Sequence, residues 1–310
     1  MTPLSKPRTA LLISFLVLVW GVNWPLSKIG LLYMPPMLFS GVRTLLAGVI
    51  LLFAALPRLR RLKFRETWPI YMISALLNVV LYYSLHTIGL GYLPSGLFSA
   101  IVFLQPVLVG VFSWLWLGES MNGVKIAGLL LGFFGVAVIS SGGMSGHISV
   151  AGVLLALGSA LSWAAGTVYV KKVGSRVDPI WLVSLQMIAG GLLMTAAGTA
   201  IESWSDVSWQ PAFILDLLFI SVFVIALGWL VFYRLIDSGE AGRMASFTFL
   251  IPLVAILIGT LFLGEPFTAA LAAGLLMIVA SIYLVNRKKG GTGVVRSRKT
   301  PRMPPPAGAR

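Results

Sequence analysis

The side chains able to do chemistry in this chain are few, and most sit in apolar surroundings. Asn78, Tyr82 and His86 recur at intervals of four with Tyr83 beside them, which puts an amide, a phenol and an imidazole on one helical face. Burying each unpaired costs kilocalories, so that face must meet a cavity or another helix. Arg43 is a lone charge in an apolar run, and its guanidinium has the fork geometry that holds a carboxylate in two hydrogen bonds. Glu119 and Glu265 both follow a Leu-Gly pair. Zero Cys excludes disulfides, Cys-bound zinc and thiol catalysis. Two His and no paired carboxylates leave neither a metal set nor a nucleophile with its base. No phosphate-cradling glycine loop appears, which disfavours a nucleotide-driven pump. The chemistry that remains is recognition, without a cofactor or a metal.

The elements that must position these residues are written twice. Gly96–Glu119 is a long apolar run with Pro106 in its middle, and Gly242–Glu265 repeats it. A shift of 146 positions puts Gly96 on Gly242, Phe103 on Phe249, Pro106 on Pro252 and Glu119 on Glu265. An internal duplication of this length governs every other reading.

Composition gives the medium. The 310 residues are 58% hydrophobic and only 10% charged, with a mean hydropathy of +0.96. Stretches 9–27, 67–118, 126–170, 179–201, 244–264 and 266–286 hold no Asp, Glu, Lys or Arg. A spanning helix needs about 20 apolar residues, so the two longest stretches each hold two. The expectation is an all-α polytopic membrane protein with ten transmembrane helices, near 9–30, 36–56, 68–90, 94–117, 121–140, 149–170, 179–200, 212–235, 243–263 and 267–286. The alternation of a β-barrel is absent. Lys6 and Arg8 before the first run imitate a secretory signal, but no small-residue cleavage pattern follows, so the run reads as a retained helix.

The net charge of +14 is not a nucleic-acid signal, because no basic reader module is visible. Instead, all but Lys28 and Arg43 of the 23 Lys and Arg fall on one side if the N-terminus is cytoplasmic. That sets both termini inside. Five spans per copy is odd, so the copies enter the membrane in opposite senses as two inverted five-helix repeats, an architecture suited to alternating access. The divisions are a cytoplasmic N-terminus (1–8), a first repeat (9–140), a periplasmic linker (141–148), a second repeat (149–286) and a basic, Pro- and Gly-rich cytoplasmic tail (287–310) expected to be disordered.

The duplicated unit ending in Leu-Gly-Glu, Trp20-Gly-x-Asn-Trp24 in the first span and Arg43 in the second resemble the drug/metabolite transporter superfamily, EamA type. Trp163 and Gln186 fit as mates of Trp20 and Arg43 at an offset of 143. The resemblance covers about 9–286. It implies a ten-helix carrier in a bacterial inner membrane that exports small metabolites such as amino acids. It also implies that helices 1, 3, 4, 6, 8 and 9 surround a central cavity, with 5 and 10 stacked at one side. Within the family the chain looks most like the aromatic amino-acid exporters.

Each candidate has a bland reading beside the functional one. Asn23, Trp24, Asn78, Tyr82, Tyr83, His86, Phe103, Gln105, Trp163, Gln186, Trp229 and Phe249 are the expected substrate-binding residues; interhelical hydrogen bonding and aromatic packing are the alternatives. Arg43, about 10 Å into its span, reads as a structural anchor ahead of a carboxylate clamp, since its mate Gln186 is neutral. Lys28 and Lys171 read as snorkelling lysines, and His147 as inert. Glu119 and Glu265 are expected to cap the helix that follows each, ahead of a proton-coupling role. Pro106 and Pro252 are expected to kink their helices as gating bends, with Gln105 bonding the freed carbonyl or facing substrate. Gly128-x-x-x-Gly132 reads as a close-packing motif.

The reading is a carrier for a small amphipathic metabolite, foremost an aromatic or hydrophobic amino acid. No Asp or Glu falls near the middle of any expected span, which favours a facilitator over proton antiport through Glu119, Glu265 or His86. A membrane-embedded enzyme and a channel are the rivals. The expected partners are the small-molecule substrate and the lipid bilayer, with no nucleic acid, and the assembly a monomer or weak homodimer.

Overall fold

A computed structural model describes residues 4–89, 92, 98, 101–140, 149–251, 254 and 269–287. The described residues form α-helices with short 3-10 and π segments, and no strand is among them. In chain order the helices are α1 (Lys6–Gly30), α2 (Pro36–Ala55), α3 (Phe64–Gly89), α4 (Gln105–Leu117), α5 (Gly123–Ser140), α6 (Val150–Val173), α7 (Pro179–Ile201), α8 (Pro211–Ser238), α9 (Ala241–Ala245) and α10 (Ala269–Asn286). Pro36, Pro179 and Pro211 each occupy the first position of a helix, where the missing N–H costs nothing. Among the described residues, five helices are long and apolar enough to cross a membrane: Pro36–Arg61, Phe64–Gly89, Val150–Arg176, Pro179–Ile201 and Pro211–Ser238. Gln105–Leu117, Gly123–Val138 and Ala272–Asn286 are apolar but shorter.

Two seams tie the copies together. A Cβ on Gly41 would sit 2.5 Å from the Thr195 nitrogen, one on Gly48 2.7 Å from Ile188, one on Gly191 2.6 Å from Leu45 and one on Gly198 2.9 Å from Leu38. As the α2 number rises the α7 number falls, so these two helices pack antiparallel at a distance only glycine permits. Gly128 against Val285 and Gly132 against Ser281 repeat the arrangement for α5 and α10. Equivalent helices of the duplicated unit therefore run in opposite senses, as an inverted repeat requires. The α2–α7 seam is clamped at both ends. Glu202 accepts the first free N–H groups of α2, from Met37 (2.9 Å) and Leu38 (2.8 Å). Asp178 caps α7 at Ile180 and pairs with Arg58 and Arg61.

The backbone repeats its irregularities as well. A π segment at Leu76–Leu81 interrupts α3, and another at Ile220–Leu227 interrupts α8, at matching places in the two copies. The helical path is interrupted at Phe103–Leu104 and restarts as α4 with Pro106 in its first turn, so the break expected at Pro106 is placed just before it. In the second copy the 3-10 turn Ser246–Phe249 follows α9 at the matching position. Pro252 lies outside the described residues.

Candidate functional site

The helices converge on a cavity of about 50 Å³, room for a few waters. Its walls are Trp20 and Asn23 of α1, Tyr82, Tyr83 and His86 of α3, Val102 and Phe103 before α4, Trp163 of α6, Val224 and Trp229 of α8, and Ile251. Repeat mates meet across it. Trp20 and Trp163, 143 positions apart, pack edge to face with ring centroids at 5.7 Å. Trp229 donates its indole N–H to the hydroxyl of Tyr83, 146 positions earlier, at 3.1 Å. Contacts between mates of an inverted repeat lie on the axis relating the copies, so the cavity sits where the two halves meet.

The wall is aromatic with polar points. Tyr82 packs on Trp163 at 5.1 Å, and Trp20 on Phe232 at 5.3 Å. Trp20 bonds the Val224 carbonyl at 3.0 Å, in the π segment of α8. The Trp163 indole N–H has no partner among the described residues. Asn23 carries the polar surface onward: its Oδ1 accepts from Ser27 (3.1 Å), whose Oγ accepts from Arg43 Nη1 (2.9 Å). The Arg43 guanidinium lies 4.7 Å over the Phe39 ring and 5.5 Å from Tyr83. Such walls suit a flat apolar group with one polar end.

At the end of the bundle that the charge pattern assigns to the cytoplasm, the copies are joined by ion pairs. Glu119 accepts the Ala241 N–H at 2.7 Å, capping α9 of the other copy. Lys171 pairs with Glu119 at 3.3 Å and donates to the carbonyls of Ile236 and Gly239. Lys125 pairs with Glu240 at 3.1 Å, and Glu240 with Arg243 at 3.5 Å.

The sequence profile of the EamA-like transporter family matches residues 7–141 and again 150–287. The chain belongs to the EamA-like transporter family. An uncharacterized transporter of Bacillus subtilis, YvbV, is 64% identical over 288 residues, covering 93% of this chain and 94% of that protein. A probable amino-acid metabolite efflux pump of Escherichia coli is 27% identical, covering 89% and 94%. One solved crystal structure superposes with a TM-score of 0.77 at 19% identity, covering 91% of this chain and 97% of its own, which shows a shared fold.

In this EamA transporter the structure gathers Asn23, Tyr82, Tyr83, His86, Phe103, Trp163 and Trp229 around the cavity. Asn78 is elsewhere: it packs over Gly166, where a Cβ would touch its amide. The spacing of four assumed an unbroken α-helix, and the wider π turn containing Asn78 rotates it off the face of Tyr82 and His86. Gln186 bonds Tyr233 at 3.2 Å, Phe249 packs against Gly132, and Gln105 is buried with both amide atoms unpartnered. None of the three lines the cavity. Gln105 therefore bonds no carbonyl beside Pro106 among the described residues. The α1 backbone includes Trp24, but its side chain and Glu265 lie outside the described residues.

Two expectations at the helix ends are corrected. Glu119 does not cap the helix that follows it; Asn122 does, accepting from the Lys125 N–H at 3.0 Å. Lys171 is not left to snorkel, because its ammonium is taken up by the Ile236 and Gly239 carbonyls and by Glu119. Sequence reasoning also passed over Val102, Val224 and Ile251, which are ordinary apolar residues, and Asp216, whose signal was a single carboxylate inside an apolar run.

Proposed function

We propose that this EamA transporter exports a small amphipathic metabolite, an amino acid with an aromatic or hydrophobic side chain, by alternating access across a bacterial inner membrane. Ten spans in two inverted repeats, with both termini cytoplasmic, would give the two exchanging conformations. The observation that carries the reading is the cavity between repeat mates, with its aromatic walls and the Asn23–Ser27–Arg43 polar relay. Its volume of about 50 Å³ is too tight for a metabolite, so loading requires the walls to part. The ion pairs joining the copies at one end are the contacts that would break when that end opens. The probable amino-acid metabolite efflux pump of Escherichia coli supports the substrate class by likeness.

The carrier is a facilitator in this reading, since Glu119 is already engaged by Ala241 and Lys171. The test is counterflow in proteoliposomes with a panel of amino acids, sugars and nucleosides, repeated across an imposed pH gradient. Saturable flux of aromatic or branched amino acids, insensitive to the gradient, is expected. Flux of another class only, or flux that does not saturate, refutes the reading, and strong coupling to the gradient refutes the facilitator.

A further inference from the structure

Arg43 of α2 and Asp216 of α8 are both more than nine-tenths buried, one contributed by each copy. They converge on the same apolar ring. The guanidinium stacks over Phe39, and a Cβ on Gly30 would lie 2.4 Å from that ring and 3.0 Å from Asp216 Oδ2. Yet both carboxylate oxygens of Asp216, and Nε of Arg43, are without a hydrogen-bond partner.

A buried charge short of hydrogen bonds is costly to keep, and here a guanidinium and a carboxylate are both left short around Phe39. Their free capacity is complementary to one kind of group. A guanidinium edge takes a carboxylate, and an open carboxylate takes an ammonium. A head group carrying both charges would satisfy the pair at once, whereas a lone amine or a lone acid would leave one partner unmet. Arg43 reaches the cavity wall, because its guanidinium lies against Tyr83 and the Ser27 bridge reaches Asn23.

We infer that Arg43 and Asp216 bind the two charged ends of a zwitterionic substrate, its α-carboxylate on Arg43 and its α-ammonium on Asp216, with the side chain directed into the aromatic cavity. The inference rests on the proposed function and narrows it to free α-amino acids. Decarboxylated amines and N-acylated acids are rejected by the partner they fail to satisfy. Arg43 thereby becomes a binding residue and not only an anchor.

The experiment is competition in counterflow with purified protein in liposomes. Labelled phenylalanine is challenged with unlabelled phenylalanine, phenethylamine or N-acetylphenylalanine; leucine and its two derivatives run in parallel. For the wild type, each derivative is expected to compete at least a hundredfold less well than the free amino acid. Asp216→Asn is expected to raise KM for the amino acid at least tenfold and to lift the discrimination against the N-acetyl acid. Arg43→Gln is expected to lift the discrimination against the amine instead. Each ratio is internal to one protein, so lower expression does not distort it, and Asp216→Asn carries the test if Arg43→Gln fails to fold. Amino-acid transport whose ratios are unchanged in the folded variants overturns the clamp alone, as does a wild type that accepts the derivatives equally. A wild type that moves no amino acid overturns the proposed function, and the clamp falls with it.

Discussion

In the proposed carrier, Lys171→Met isolates the contact on which opening of the ion-paired end should turn. The Lys171 side chain is 17% exposed and that of Glu119 10%, so the pair is largely shielded from water. Removing one member of a buried pair costs about 3–5 kcal/mol, because the other charge is left uncompensated. The lower figure applies, since Glu119 keeps the Ala241 N–H and has Lys125 at 4.0 Å. The carbonyls of Ile236 and Gly239 also lose their donor. A cost of about 3 kcal/mol on the closed arrangement is about a hundredfold in the population open at that end. The absence of native cysteine makes this measurable. With Val102→Cys as the only thiol, buried at the cavity, an impermeant maleimide added to inside-out vesicles should label the Lys171→Met protein up to a hundredfold faster. Unchanged labelling with a lowered melting temperature would refute the reasoning. The network would then hold the fold in every conformation, and breaking it would not favour an opening.

Other expectations follow from single contacts. Glu202→Ala removes the carboxylate that bonds the first N–H groups of α2, and a melting curve should show a loss of about 0.5–2 kcal/mol. Gly41→Ala forces a Cβ to within 2.5 Å of the Thr195 backbone and should destabilise by about 1–3 kcal/mol, while Gly123→Ala, with nothing within 4 Å, should be neutral or slightly stabilising. Tyr83→Phe leaves the Trp229 N–H unpaired at about 1–3 kcal/mol, and should slow counterflow more than the matched packing change Phe232→Leu. A single Cys at Ser145 should be labelled only from the periplasmic side, and labelling from the cytoplasm would end the inverted-repeat topology.

Much of the architecture could be read from the chain because the duplication preserved what packing needs. Gly96 on Gly242 and Leu-Gly-Glu on Leu-Gly-Glu survive as residue identities. Seven cavity residues were legible because aromatic and amide side chains stand out against an apolar helix. Asn78 was misassigned because LLNVVL carries no mark of a π turn; that turn arises from tertiary packing, with Ser162 bonding the Leu77 carbonyl at 2.7 Å. Glu119 and Lys171 were read locally, as a cap and a snorkel, because their true partners lie 122 and 65 positions away. Proximity in sequence says nothing of such pairs. Asp216 was passed over because an isolated carboxylate has no period, and its meaning comes only from Arg43 on another helix.

The distribution of close packing and backbone irregularity argues about what moves. The α2–α7 and α5–α10 seams are held by glycines at distances that leave no play. The lining helices, by contrast, carry the π segments of α3 and α8, the turn before α4 and the 3-10 turn after α9. Bistable motion concentrates where hydrogen-bond ladders are already interrupted. Access should therefore alternate by bending of lining segments against a fixed pair of seams, more than by rigid rocking of whole halves. Reversible cross-linking separates the two. Cysteines at Ser120 and Glu240, whose side chains approach to 3.5 Å across the ion-paired end, should block counterflow when bridged. Cysteines at Arg61 and Asp178, whose native side chains pair at 3.4 Å across the foot of the α2–α7 seam, should leave it running when joined by a short bifunctional thiol reagent, each variant compared with itself before cross-linking. Block by the seam bridge as well would mean that the halves pivot as rigid bodies.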